Sequence, residues 1–147
     1  MKFTLNIDKN AVEEEICATV HAPSTLTHQI EDLVRGWAGE DRVAVYTEDQ
    51  MLRIPFEEIE CVTVIDRKLY ALTASGERFR LRQKLCEIEP MLPSYFVRIN
   101  KSSIANQRRI RRFKTAFSGA VDAVFQSGYT DYVSRRCLAD LKRRLKP

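Results

Sequence analysis

Alternating apolar and polar residues at the start of the chain predict two short strands. Phe3, Leu5 and Ile7 alternate with polar neighbours, and a weaker β-type run covers residues 16–20. A Pro-Ser-Thr sequence at residues 23–25 then provides a helix N-cap, and apolar residues recur every three or four positions up to Gly39. This spacing predicts an amphipathic helix. Its apolar stripe consists of Leu26, Ile30, Leu33, Val34 and Trp37.

The apolar stripe of this helix must be covered by other apolar surface. Stripes that contain Trp and Leu usually belong to the core of their own domain, so we favour packing against the protein's core. The alternative is that the stripe contacts a partner subunit.

From residue 43 onward the helical period is replaced by short β-type runs. The first five runs cover residues 43–47, 51–54, 59–65, 69–73 and 77–81, and later runs lie at 95–99, 110–113, 121–125 and 129–133. Ser-Gly pairs at 75–76, 118–119 and 127–128 offer the positive φ that tight hairpins need. These signals predict a meander of antiparallel strands.

Two helices interrupt and end this β region. Leu81, Leu85 and Ile88 predict a short helix that stops before Pro90 and Pro93. A final helix is predicted to begin after Ser134, with a buried stripe and many basic residues on its remaining surface. The stripe residues are Leu138, Leu141 and Leu145. The fold class is therefore mainly β (α+β), with short antiparallel sheets, short helices and a small N-terminal strand-helix appendage.

The composition of the 147 residues is that of an ordinary globular protein, with 44% hydrophobic and 30% charged residues. No run of 18 apolar residues and no apolar segment typical of a signal peptide is present, so we expect a cytoplasmic protein without membrane insertion. The four cysteines, Cys17, Cys61, Cys86 and Cys137, are widely spaced and are predicted to be reduced.

Charge is distributed very unevenly along the chain. Residues 1–60 contain 5 Lys and Arg against 13 Asp and Glu, a net charge of −8, whereas residues 61–147 contain 19 against 7, a net charge of +12. Such asymmetry indicates a polyanionic partner for the C-terminal part. The alternative is a solvated basic face without a nucleic-acid partner.

The sequence contains none of the motifs that mark common catalytic sites, such as G-x-S-x-G, a Walker loop or H-E-x-x-H. His21 and His28 lack a Cys or carboxylate at metal-ligand spacing and lie in the acidic segment. We therefore predict that the protein is not an enzyme and uses no metal or cofactor.

Residues 96–110 form an unusual pattern of strand, polar corner and strand that resembles the signature of the LytTR DNA-binding domain of bacterial transcription regulators. The resemblance extends over residues 54–145. Residues 55–59 are similar to the family's entry strand, residues 83–92 to its short helix with a Leu-Pro end, and residues 132–138 to its last strand-to-helix junction. The resemblance implies a mainly β fold that enters DNA grooves with loops instead of a recognition helix.

The resemblance also implies three DNA-reading loops, at residues 66–68, 100–102 and 135–136. Lys and Arg suit guanine, and Asn suits adenine, so the predicted base contacts are Asn100, Lys101 and Arg136. The predicted phosphate contacts are Arg67, Lys68, Ser102, Arg108, Arg109, Arg135 and Arg143. For Arg108 and Arg109 a solvated strand face is the alternative. Asn106 is predicted to be a buried amide that ties the corner to a strand.

We therefore expect an acidic appendage at residues 1–42, which serves for dimer or partner contact, followed by a LytTR-type domain at residues 43–147. Residues 1–42 supply too few elements for a receiver domain. The predicted function is a sequence-specific, double-stranded-DNA-binding transcriptional regulator that binds as a homodimer, with a membrane-protein inhibitor encoded nearby as a hypothesis. The alternatives are an RNA-binding or ribosome-associated basic β module, or a self-associating protein without a nucleic-acid partner.

Overall fold

The computed structural model describes residues 1–37 and 41–144 and contains ten strands and three α-helices. The predicted mainly β fold class is confirmed, because most of the regular structure is antiparallel sheet. The helices are α1 (Thr25–Trp37), α2 (Leu85–Ile88) and α3 (Arg135–Arg144). The strands are β1 (Arg42–Tyr46), β2 (Met51–Pro55), β3 (Ile59–Ile65), β4 (Lys68–Thr73), β5 (Arg78–Leu81), β6 (Phe96–Asn100), β7 (Ser103–Asn106), β8 (Ile110–Thr115), β9 (Val121–Phe125) and β10 (Thr130–Val133).

Seven strands form the larger sheet, in the order β2-β1-β5-β4-β3-β7-β6. The alternation of Arg78, Phe79, Arg80 and Leu81 on β5 has the predicted consequence, since the two apolar side chains are buried and the two arginines are exposed. The first hydrophobic core lies on one face of this sheet and also includes Ile88 of α2. Its most deeply buried members are Val45, Ile59, Val62, Ala71, Leu81, Ile88 and Ile104.

The smaller sheet has the order β10-β9-β8 and packs with α3 over a second hydrophobic core. Cys61, Ile99 and Ala105 from the larger sheet meet Phe125 of β9 and Leu141 of α3 there. The predicted stripe of the last helix is confirmed for Leu141, which is buried, and for Leu138, which is half-buried. Leu145 lies outside the described residues.

The β9–β10 turn joins the smaller sheet to the larger one. Gly128 has φ +96°, as the predicted Ser-Gly hairpin requires. The preceding Ser127 donates from its backbone N–H (2.8 Å) and its hydroxyl (2.6 Å) to the carboxylate of Glu60 on β3. Glu60 is 0% exposed, so a buried acidic side chain fixes the β9–β10 turn against β3.

The two strands predicted near the N-terminus are wrong. Residues 1–24 contain no strand, and Phe3 is 88% exposed, with Leu5 and Ile7 also exposed. Alternation alone does not make a strand, because its backbone groups need a pairing partner. The helix predicted to follow is confirmed as α1, although the expected end near Gly39 lies outside the described residues.

The favoured interpretation of the α1 stripe, packing into the protein's core, is also wrong for the described side chains. Leu33 is 71% exposed, and Leu26 and Val34 are exposed as well. Polar contacts hold the helix instead: Asp32 accepts hydrogen bonds from the backbone N–H (3.2 Å) and the hydroxyl (2.6 Å) of Ser94. Ile30 is half-buried, but it belongs to neither hydrophobic core, so the described part of the stripe faces largely to solvent. None of the helices in the described residues is long and apolar enough to span a membrane.

Candidate nucleic-acid interface

Three loops from different parts of the sequence converge at one end of the two sheets. The backbone N–H of Val64, next to the β3–β4 turn, donates to the carbonyl of Ser102 at the β6–β7 corner (3.0 Å). The N–H of Ser134, at the β10–α3 junction, donates to the carbonyl of Ile99 at the end of β6 (2.8 Å). We call residues 66–68, 100–102 and 134–136 the three-loop surface.

The β3–β4 turn presents Arg67 and Lys68 at the tip of a tight hairpin. Asp66 and Arg67 have φ angles of +50° and +67°, and Ile65 pairs with Lys68 across the turn. Two successive left-handed residues are typical of a type I′ turn, whose twist matches that of the strands on either side. Arg67 and Lys68 are both exposed. Their charged groups are therefore available to a polyanion.

Asn100 occupies the β6–β7 corner, but it does not have the exposure that a base contact requires. It is 1% exposed, and its Oδ1 accepts a hydrogen bond from the N–H of Ser102 (2.8 Å). Its Nδ2 donates to the carbonyl of Tyr132 (2.8 Å) and to Oδ1 of Asp131 (3.2 Å). Both polar atoms are bonded within the protein, so in this structure Asn100 holds the corner, and the base contact expected from the sequence stays a prediction.

The other two corner residues remain at the surface. Lys101 is exposed, and its carbonyl accepts a hydrogen bond from Nη1 of Arg98 (2.8 Å), which fixes the backbone below the side chain. Ser102 is half-buried, with its N–H and carbonyl both bonded within the protein. The corner therefore presents one exposed cation, Lys101, on a backbone that hydrogen bonds from Val64, Arg98 and Asn100 hold in place.

Asp131 of β10 is the centre of a polar cluster beneath the corner. Its carboxylate accepts hydrogen bonds from Asn100, from the hydroxyl of Ser103 (2.6 Å), from the N–H of Tyr132 (2.8 Å) and from the hydroxyl of Tyr129 (3.2 Å). Ser103 in turn lies 2.7 Å from the hydroxyl of Thr63 on β3. The cluster thus joins the ends of β3, β7 and β10, and the sequence analysis did not identify it.

Burial sets the protonation of two groups in this cluster. Desolvation raises the pKa of the Tyr129 hydroxyl, and the negative charge of Asp131 adds to the increase. Desolvation likewise raises the pKa of the Cys61 thiol well above its ordinary value. Both groups therefore stay protonated at neutral pH, and Tyr129 remains a donor to Asp131.

The third loop leads into α3. The predicted N-cap is confirmed, because the hydroxyl of Ser134 accepts a hydrogen bond from the N–H of Cys137 (3.2 Å). Arg135 and Arg136 follow in the first turn and are exposed. Arg143 lies seven residues further along the helix, about 10 Å away, and forms an ion pair with Asp140.

The structure separates Arg108 and Arg109 from the three-loop surface. Both lie near Glu57, at the opposite end of β3, roughly 20 Å away. The guanidinium of Arg109 donates to the carbonyl of Glu57 (2.8 Å) and to the side chain of Gln126 (3.2 Å). That of Arg108 stacks on Tyr95, 4.1 Å from the ring centroid. These contacts connect the two arginines to neighbouring elements of the fold.

Asn106, at the same end, is the buried amide that was predicted, but it lies at the end of β7 opposite the corner that it was expected to hold. It is 1% exposed, its Nδ2 donates to the carbonyl of Ile59 (3.0 Å), and its Oδ1 accepts from the N–H of Arg108 (3.0 Å). The amide thus ties the end of β7 to β3.

An antiparallel β scaffold with converging basic loops defines a class of module that contacts nucleic acid through loops. The LytTr DNA-binding domain (LytTR) family model matches residues 49–146. The match covers well over half of the chain, and the protein therefore belongs to this family, as the sequence resemblance indicated.

Similar proteins agree with this assignment. The chain is 29% identical to an uncharacterised HTH-type transcriptional regulator of Staphylococcus aureus strain MSSA476, over 96% of this chain and 97% of the relative. A relative from strain COL is 28% identical over the same shares. The fold also matches the LytTr DNA-binding domain of a Bacillus cereus response regulator, with a TM-score of 0.66, 21% identity and coverage of 73% of this chain and 98% of that domain.

The relatives' names refer to a helix-turn-helix, but the described residues of this chain contain no such pair. Five strands separate α1 from α2, and five more separate α2 from α3. In a helix-turn-helix the two helices are joined by a turn of a few residues.

Proposed function

We propose that the protein is a sequence-specific regulator of transcription that binds double-stranded DNA with the three-loop surface. The observation that carries this proposal is the convergence of five exposed cations at one end of a rigid β scaffold. They are Arg67, Lys68, Lys101, Arg135 and Arg136. At the other end of β3 the exposed carboxylates of Glu57 and Glu58 lie beside Arg108 and Arg109, so the excess of exposed positive charge is at the three-loop end, where phosphate is attracted.

The side chains of the three-loop surface are assigned to base edges or to phosphate according to their chemistry. We assign Lys101 and Arg136 to base edges, because Lys and Arg donate to the O6 and N7 acceptors of guanine in the major groove. Arg67, Lys68 and Arg135 are assigned to phosphate, together with Ser102, while Arg143 supplies a more distant phosphate contact. Asn100 holds the corner, and a base contact from it stays a prediction.

The aromatic residues favour DNA over RNA as the partner. Modules that bind single-stranded RNA commonly stack bases on aromatic side chains at the sheet surface. Here Phe79, Phe96 and Phe125 are buried, and Phe113 is half-buried against the second core. Among the aromatic residues of the described strands only Tyr132 is exposed, and Phe117 lies in a turn, so the strand faces offer no row of exposed rings.

We expect binding to duplex DNA to weaken steeply with salt. Neutralising about five phosphates gives a slope of roughly −4 to −5 in a plot of log affinity against log salt. Gel shifts at several salt concentrations measure this slope, with duplex RNA of the same sequence as the control. Equal affinity for duplex DNA and duplex RNA would favour the alternative of an RNA-binding basic β module. Self-association without any binding to nucleic acid would favour the alternative of a self-associating protein.

We further propose that two copies bind one operator as a homodimer in the cytoplasm. A single small module covers a short site, while a genome offers at least about 10⁶ competing sites. The exposed face of α1 supports a contact between copies, since Leu26, Leu33 and Val34 are apolar and belong to the acidic half of the chain, which phosphate repels. A membrane-protein inhibitor that covered this face would lower operator occupancy.

The dimer proposal predicts a footprint with two similar half-sites on one face of the duplex. Inserting about five base pairs between them rotates one half-site by half a turn and is expected to abolish cooperative binding. Leu33→Ser is expected to reduce cooperativity while single-site affinity is retained. Met51→Ser, at an exposed apolar position on β2, is the matched control. A single half-site, or binding that is insensitive to spacing, would contradict the proposal.

A further inference from the structure

The hairpin between β8 and β9 carries a fully exposed aromatic side chain, Phe117, at its tip. A buried Phe removes about 150–250 Å² of surface from water, so leaving one in solvent forgoes a large stabilising contribution. Neither the three-loop surface nor the two cores uses this ring.

The turn that carries Phe117 is closed by its own backbone. The N–H of Ala116 donates to the carbonyl of Ala120 (2.9 Å), and the N–H of Gly119 donates to the carbonyl of Ala116 (2.9 Å). Gly119 has φ +84°, a conformation that glycine adopts without steric cost. The ring therefore projects from an ordered tip, and docking it into a partner costs little backbone entropy.

The hairpin tip is continuous with the three-loop surface. Thr115 and Val121, which flank the turn, are paired with each other, and Val121 is also paired with Val133 of β10. Ser134 and Arg135 follow Val133 directly, and Ser118 and Gly119 line the same shallow hollow as these two residues. A DNA duplex that contacts Arg135 therefore passes close to Phe117.

The charge around the tip indicates what kind of partner would contact the ring. Arg111, Arg112 and Lys114 are exposed on β8, and Arg135 is exposed across the hollow. The acidic residue of the hairpin, Asp122, is half-buried and directly opposite Lys114 on the neighbouring strand. An apolar ring among cations fits a polyanion that also offers apolar surface, and stacked bases between two phosphate backbones have this combination.

We propose that Phe117 is a further DNA contact, a wedge that inserts against a base-pair step from the minor groove; this inference rests on the proposed DNA-binding function. The minor groove is about 6 Å wide, so the Phe117 ring at the tip would enter it while the two-stranded ribbon behind the ring stays outside. Lys114 and Arg135 would then face the two phosphate backbones. Apolar wedges of this kind partly unstack a step and bend the duplex toward the major groove.

The test compares Phe117→Ala with wild-type protein in DNA affinity and in DNA bending, measured by energy transfer between dyes at the duplex ends. We expect about a tenfold loss of affinity and a smaller bend, because removing a Phe side chain from water contributes about one order of magnitude or more to an equilibrium constant. Phe117→Trp, which keeps an aromatic ring at the tip, is expected to retain both the affinity and the bend of the wild type. Phe3→Ala, which removes another exposed ring, in the acidic segment, changes neither the affinity nor the bend.

The outcomes separate this inference from the function on which it rests. If Phe117→Ala bends DNA as the wild type does, or if the wild type does not bend DNA, the wedge is wrong. Lys101→Ala, measured on the same duplex, then shows whether the three-loop surface still binds DNA. If the wild-type protein has no preference for duplex DNA, the proposed function itself has failed. Thermal unfolding of each variant confirms that the fold is intact.

Discussion

Replacing Asp131 by alanine is expected to lower the free energy of unfolding by about 3 kcal/mol. The carboxylate accepts four hydrogen bonds, two of them from the side chains of Asn100 and Ser103, which are each 1% exposed. A buried donor that loses its acceptor costs roughly 1–3 kcal/mol, and Ser103 retains only its contact with Thr63. Urea denaturation measures the change.

The same variant tests how the loops are positioned. Removing a negative charge close to DNA would by itself strengthen binding, because it reduces repulsion from phosphate. We expect the opposite result, a weaker complex, since Asp131 holds Asn100 and thereby the backbone of Lys101. A lower affinity at a temperature where the variant is folded therefore distinguishes positioning from electrostatics.

Asp122→Ala provides the control for both measurements. Asp122 lies on β9 beside Tyr132 and is half-buried, but it is outside the cluster around Asp131. We expect its loss to change stability by no more than about 0.5 kcal/mol. A change of less than 1 kcal/mol in Asp131→Ala would show that the cluster contributes little, and unchanged or stronger DNA binding would contradict its positioning role.

Short sequence patterns were sufficient to predict the elements that depend on only a few neighbouring residues. Short runs of β-type residues predicted β3, β4 and β5, and Ser-Gly pairs predicted the turns at which Gly76, Gly119 and Gly128 have positive φ. The N-cap at Ser134 followed from residue type and position alone. Each of these features depends on a few neighbouring residues, which is why the sequence contains enough information to place them.

The errors concern features that depend on distant residues. Residues 3–7 alternate as a strand does, but no segment among residues 1–37 and 41–144 pairs with them. The stripe of α1 was correctly identified as apolar, whereas what covers it depends on how the helix docks, and Asp32 and Arg35 dock it through polar contacts with residues 91–94. Pairing and docking partners lie far away in sequence, so local periodicity does not identify them.

In the candidate site, too, features set by neighbouring residues were predicted and features set by distant residues were not. Exposed cations at the turn, corner and helix start were placed correctly from their loops, but Asn100 was assigned by its chemistry without knowledge of β10 above it. Asp131 and Glu60 were missed because a charged residue in a strand is usually exposed. A signal was present, since Ser103, Ser127 and Tyr129 are hydroxyl donors in segments close to the predicted site or turns.

The largest effect on DNA recognition is expected from Lys101 and Arg136. Replacing either by alanine is expected to weaken binding to the preferred site by about 1–3 kcal/mol and to relax base preference at one position. Both side chains are exposed on the three-loop surface, and each is carried by backbone held in place by hydrogen bonds to neighbouring elements. Titration of the preferred duplex and of single-base variants measures both changes.

Arg143→Ala supplies the comparison that separates base contacts from phosphate contacts. Arg143 lies about 10 Å further along α3 and pairs with Asp140. Its removal is expected to weaken binding to every duplex by a similar factor. The ratio of affinities for preferred and random DNA is the decisive quantity, since a phosphate contact leaves it unchanged and a base contact lowers it. If Lys101→Ala and Arg136→Ala leave that ratio unchanged, both residues bind phosphate, and sequence must be read elsewhere, with the minor-groove contact of Phe117 as the next feature to test.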